Sequence, residues 1–165
     1  MKILITGANG FVGLNVIKAL VAARHQVTAY VRASSNVSFL ESFDVTLVRG
    51  ELHDSQRLQA AMAGHDGVIH TAGNTSSNAR DWPLLEAVNV EGTRSVIEAA
   101  LACGVSRLVY TSTSSTIGAH NDPAAEATEK TALAGFRAKT PMPKVNCSLR
   151  SWCTAPAIAA CPPSF

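Results

Sequence analysis

Aromatic residues make up only 5% of this 165-residue chain, and just two are tyrosines, Tyr30 and Tyr110. Any phenolic acid–base group must therefore be one of these two. An excess of one charge is also missing: 14 Lys and Arg face 12 Asp and Glu, net charge +2. With the basic residues scattered, no nucleic-acid footprint stands out. No apolar run reaches the roughly 18 residues needed to span a bilayer. The chain starts directly on an apolar strand pattern, without the charged leader and cleavage site of a signal peptide, so a cytoplasmic location is expected. Four cysteines occur, Cys103, Cys147, Cys153 and Cys161, with no Cys-x-x-Cys pair and no zinc-ligand spacing. They read as free thiols in a reducing compartment with no metal implied, Cys103 as a small core residue.

Hydrophobic residues amount to 47% and charged ones to 16%, and the length suits one domain with a sizeable core. Lys2-Ile3-Leu4-Ile5-Thr6 reads as a buried parallel strand ending at glycine. Val12, Val16, Ile17, Leu20 and Val21 then recur at helical spacing between Phe11 and about Arg24. Further strands are expected at 26–31, 45–48, 67–71 and 107–111. A helix is expected to start at Asp54-Ser55 and stop near Gly64, and a long amphipathic one to run from Leu84 to Cys103. Strands alternating with helices predict an α/β fold, a doubly wound parallel sheet. Ligands of such sheets bind beyond the carboxyl ends of the strands.

The turn Gly7-Ala8-Asn9-Gly10-Phe11-Val12-Gly13 joins the first strand to the first helix. Its glycines allow a tight turn and a close approach of a pyrophosphate, and the helix amides then face the phosphates. A plain packing turn is the alternative, and the strand–turn–helix context favours the dinucleotide. Three more segments accompany it: Asp66-Gly67-Val68-Ile69-His70-Thr71-Ala72-Gly73, Asn89-Val90-Glu91-Gly92-Thr93, and Arg107-Leu108-Val109-Tyr110-Thr111-Ser112-Thr113-Ser114. In this order and spacing over residues 1–118, the sequence resembles the extended short-chain dehydrogenase/reductases. Within that family (NAD-dependent epimerase/dehydratase), the likeness is to dihydroflavonol reductases and 3β-hydroxysteroid dehydrogenases.

The resemblance implies a Rossmann fold, an NAD(P)-dependent oxidoreductase and a small-molecule substrate, and leaves the oligomeric state open. Gly7, Gly10, Phe11, Val12 and Gly13 would line the pyrophosphate. The second strand is followed by Arg32 rather than by the acidic residue that would accept from the ribose hydroxyls of NAD. Arg32 can pair with the 2′-phosphate of NADP, which is favoured over NAD; the alternative is a solvated loop arginine. Glu51 and Leu52 resemble a segment that cradles the adenine, although the family usually has Asp at the Glu51 position. Asp54 reads as a helix N-cap. Thr71, Ala72 and Gly73 resemble the small-residue turn that lets the cofactor pass close to the backbone. Asn89 resembles a family asparagine, and a structural hydrogen bond accounts for it equally. Thr113 stands where the family places the hydroxyl that bonds the substrate oxygen; a self-solvating hydroxyl loop is the alternative.

The family's acid, a tyrosine four residues before a lysine, is missing. Glu126, Gly135 and Thr140 stand four before Lys130, Lys139 and Lys144, and both tyrosines precede Thr113. From about residue 119 no helix or strand period persists, so residues 119–165 are expected to form an irregular tail and to leave the sheet incomplete on its C-terminal side. Residues 141–165 hold five of the seven prolines. Back-translated and read from the third base of the Pro141 codon, residues 141–150 allow Tyr-Ala-Gln-Ser-Lys-Leu-Leu-Ala-Glu-Glu, which resembles the missing motif. A one-base frame change near or before Pro141 is therefore expected, and with it a truncated, inactive product.

Overall fold

The computed structural model describes residues 1–113 together with Glu126 and Thr128. Five parallel strands form one sheet: β1 (Lys2–Thr6), β2 (Gln26–Val31), β3 (Val45–Arg49), β4 (Gly67–His70) and β5 (Arg107–Tyr110). Their order is β3-β2-β1-β4-β5. The chain thus winds outward from β1 to β3, then returns to begin β4 on the other side of β1. That reversal between β1 and β4 is the switch point at which doubly wound sheets bind ligands.

Helices cover both faces. On one, Ile17 of α1 (Phe11–Ala22) packs with Ile5, Val27, Ala29, Val31 and Leu40. On the other, Leu58 and Met62 of α2 (Ser55–Met62) pack with Val96, Ala99 and Ala100 of α4 (Gly92–Ala102) over Leu4, Tyr30 and Val68. Leu4, Ile5, Ile17 and Leu58 are fully buried, each stabilising by about 2 kcal/mol through apolar area removed from water. The expected N-cap is present: Asp54 Oδ1 accepts from Arg57 N at 2.9 Å. Gly64 follows α2 at φ +72°, a left-handed stop.

The helix expected from Leu84 to Cys103 is present as an unbroken helical run, with a π-helical turn inside it. A short α3 (Trp82–Leu85) leads through a π-helical turn, Glu86–Glu91, into α4. The wide turn coincides with Asn89, a buried polar residue whose amide is clipped to the neighbouring loop, and local side-chain anchoring of this kind competes with α-helical spacing. Cys103 packs partly buried against the α2/α4 core, as expected of a small core residue.

Candidate functional site

Because all five strands are parallel, their carboxyl ends share one edge of the sheet, and the loops carrying the expected site residues all leave from it. Gly7 follows β1 at φ +68°, and a Cβ there would lie 2.5 Å from Ala72 N. The turns after β1 and β4 are therefore in direct backbone contact. A Cβ on Gly13 would overlap the Gly7 carbonyl oxygen, so α1 can start this close to β1 only with glycine there. Gly10 is the N-cap of α1, with no side-chain cap and no acidic residue in the first turn. The first helical bond is Leu14 N to Gly10 O, 2.9 Å, so the amides of Phe11, Val12 and Gly13 precede it. Uncapped amides and the helix dipole favour negative charge at this end. Phe11 is 85% exposed beside it.

The turn after β4 is fastened on both sides. Thr71 donates to Thr6 O through its backbone N at 3.2 Å and its hydroxyl at 2.7 Å. Asn89 accepts from Asn74 N at 2.7 Å and donates to Asn74 O at 2.8 Å. Asn89 therefore carries the structural hydrogen bond weighed in the sequence reading. Thr71, Ala72 and Gly73 run beside the Gly7 turn, and together they form one cradle of small residues.

Beneath the cradle lies a polar layer that sequence reasoning missed. His70, fully buried, is bonded through Nδ1 to Thr6 Oγ1 at 2.6 Å and through Nε2 to Thr93 Oγ1 at 2.9 Å. The ring ties the ends of β1 and β4 to α4. Burial lowers its pKa to about 4, so it is neutral near pH 7 and one threonine hydroxyl donates to the unprotonated nitrogen. The ring centroid of Tyr110 lies 5.7 Å away. A histidine closing an otherwise apolar strand was the available signal.

At the outer end of the same edge, Tyr30 donates to Glu51 O at 3.0 Å, and burial pushes its pKa up to about 12. Gly50 is pressed against that phenol, where a Cβ would overlap the hydroxyl oxygen. Leu52 packs against the α2/α4 core and onto Gly92. Arg32, exposed, is the first residue past β2, and Gly50 N donates to Val31 O at 2.9 Å, joining the loops after β2 and β3. Thr113 is half-buried three residues beyond β5. Residues 119–165 of the expected tail lie outside the described residues, apart from Glu126 and Thr128. Among the described residues no helix is long and apolar enough to cross a membrane, and no cluster of His, Cys, Asp or Glu could hold a metal.

The model of the NAD dependent epimerase/dehydratase family matches residues 3–141. A Synechocystis protein assigned as a dihydroflavonol 4-reductase is 38% identical over 118 residues, covering 72% of this chain and 34% of that protein. A 3-beta-hydroxysteroid dehydrogenase of Mycolicibacterium neoaurum is 31% identical over 122 residues, covering 70% of this chain and 33% of its own length. The chain thus spans about a third of the curated relatives it matches. Among solved structures, a short-chain dehydrogenase/reductase superfamily protein of Agrobacterium tumefaciens with bound NAD superposes with a TM-score of 0.72 at 28% identity, over 92% of this chain and 43% of that one. With a Rossmann sheet, a Gly-x-x-Gly-x-x-Gly cradle at its switch point and a family match over most of its length, the chain belongs to the NAD-dependent epimerase/dehydratase family of extended short-chain dehydrogenase/reductases.

Proposed function

We propose that this chain holds NADP(H) across the β1/β4 switch point and descends from reductases that interconvert a carbonyl and a hydroxyl on a small molecule. The observation that carries the reading is the uncapped start of α1 lying directly against the turn after β4. Phe11, Val12 and Gly13 would bind the pyrophosphate through their amides, and Thr71, Ala72 and Gly73 would flank the nicotinamide side. Arg32 would pair with the 2′-phosphate, while the Glu51–Leu52 segment would cradle the adenine. The bound nicotinamide would supply or accept the hydride. Thr113 would hydrogen-bond the substrate oxygen.

The phenol is the weak link. Tyr30 and Tyr110 lie in β2 and β5, and the Tyr30 hydroxyl is engaged with Glu51 O. This favours cofactor binding without turnover, and hence a second reading, a non-catalytic NADP(H)-binding module. The family match reaching residue 141 supports a one-base frame change near Pro141 as the origin of the missing motif.

Fluorescence titration with NADPH and NADH, followed by a carbonyl-reduction assay, tests these readings. The expected result is tighter binding of NADPH and no turnover; turnover would show that another group serves as the acid. A Cβ at Gly10 would meet only the Gly7 carbonyl oxygen, at 3.2 Å, so the valine of Gly10→Val would act mainly against the proposed pyrophosphate. The variant is expected to remain folded and to lose at least about 100-fold in nucleotide affinity. Unchanged affinity would remove the turn from the site.

A further inference from the structure

The loop that carries Arg32 is held by a residue at the end of the neighbouring strand. We propose that Arg49, the last residue of β3, is a positioning residue for 2′-phosphate recognition, acting by holding the loop that carries Arg32. The inference rests on the NADP(H) reading above.

Arg49 Nη1 donates to Ala33 O at 2.7 Å and lies 3.3 Å from Arg32 O and 3.4 Å from Ser35 O, within reach of both as an acceptor pair. Ser35 N also donates to Arg32 O at 3.0 Å, so residues 32–35 form a tight turn with the guanidinium against its carbonyls. Arg49 is itself anchored, because Arg57 Nε donates to its carbonyl oxygen at 3.1 Å. The register of β2 and β3 pairs Val31 with Arg49, placing this clamp level with the start of the loop.

An exposed loop residue on a freely moving turn would lose much of its affinity to ordering. A charged donor bonded to several carbonyls orders the turn in advance, and such bonds are stronger than neutral ones. The loop carbonyls also turn their negative ends toward the positive charge of Arg49. Arg49 therefore favours the 2′-phosphorylated cofactor through the backbone of Arg32, and ligands without that phosphate gain little from it.

A double-mutant cycle on the full chain tests this, reading Kd for NADPH and NADH in wild type, Arg32→Ala, Arg49→Met and the double variant. Arg49→Met is expected to weaken NADPH about 10-fold while changing NADH less than about 2-fold. In the Arg32→Ala background the same substitution should leave the NADPH/NADH ratio unchanged. Additive effects would mean that Arg49 meets the phosphate itself, and equal losses for both nucleotides would mean general loosening; either overturns the proposal while the NADP(H) reading stands. If Arg49→Met does not fold, Arg49→Lys enters the same cycle, with an expected NADPH loss of about 3-fold because the shorter side chain leaves its ammonium short of the Nη1 position. A wild type indifferent to the 2′-phosphate overturns the NADP(H) reading and this proposal with it; an Arg32→Ala variant that keeps the preference overturns the role of Arg32 and this proposal while the NADP(H) reading stands.

Discussion

The two faces of the sheet are built from different materials. The buried residues under α1 are hydrocarbon, with Ile5, Ile17, Val27, Ala29, Val31 and Leu40 packed together. The face under α2 and α4 is apolar around Leu4 and Val68, with Thr28 bonded to His65 beside them, and its upper row, at the carboxyl ends of the strands, is polar: Tyr30, Thr6 and His70, bonded to Glu51 and Thr93. The register lines these three up side by side, Tyr30 opposite Thr6 and Thr6 opposite His70. Apolar packing is non-directional and tolerates small shifts. A hydrogen bond fixes both distance and angle. The directional material lies where the loops leave for the cofactor site, and the adaptable material lies where only burial is required.

Three substitutions probe this difference. The largest effect is expected on the apolar face: Ile17→Ala should lower unfolding free energy by about 4 kcal/mol in urea titrations, the loss of a fully buried side chain plus the cavity it leaves. Nucleotide affinity of the folded fraction should stay unchanged. A coupled loss of affinity would show that the two faces do not divide their tasks.

His70→Leu comes next. It leaves the hydroxyls of Thr6 and Thr93 without their ring partner and should cost about 2 kcal/mol at pH 7. The penalty should depend on pH. In the folded chain the His70 pKa is lowered from 6.5 to about 4 by burial, so the unfolded state binds the proton first as pH falls. The wild type therefore has its full stability from this group above about pH 6.5. It loses stability through the window down to pH 4, by about 3 kcal/mol in all. The leucine variant lacks this term, so the two stabilities should converge near pH 5, where the wild type has lost about 2 kcal/mol. Parallel curves from pH 7 to pH 4 would contradict a neutral, buried His70.

The smallest effect is expected for Tyr30→Phe, which removes one hydrogen bond to Glu51 O and should cost about 1 kcal/mol. Since the Glu51–Leu52 segment is the proposed adenine cradle, affinity for both NADPH and NADH should fall about 3-fold together. A drop confined to NADPH would place Tyr30 in the recognition of the 2′ end instead.

Much of this was legible in advance because it is local. Buried parallel strands read as apolar runs, and α1 follows from the spacing of Val16, Ile17, Leu20 and Val21. Gly7 and Gly13 announce a turn that other residues cannot make. Asp54 signals its helix start through a cap whose two partners lie three residues apart. The π-helical turn at Asn89 was not legible, and neither was the bonding of Asn89 to Asn74 on another loop. The same holds for Arg49, a plain strand-end residue in sequence, whose contacts are backbone carbonyls of a loop that only the β2/β3 register brings near.

By itself, the sequence determined the alternation of strands and helices, the glycine turn that opens the first helix, and the family. Periodicity, φ freedom and motif spacing act over a few residues and need no knowledge of what lies across the fold. Only the tertiary structure decided that Gly7 rests on the backbone of Ala72, that His70 is a neutral bridge between two threonines, and that Arg49 braces the Arg32 loop. Each of these joins residues far apart in the chain, and a buried polar group acquires its partner, its protonation state and its role only when the strands have come together.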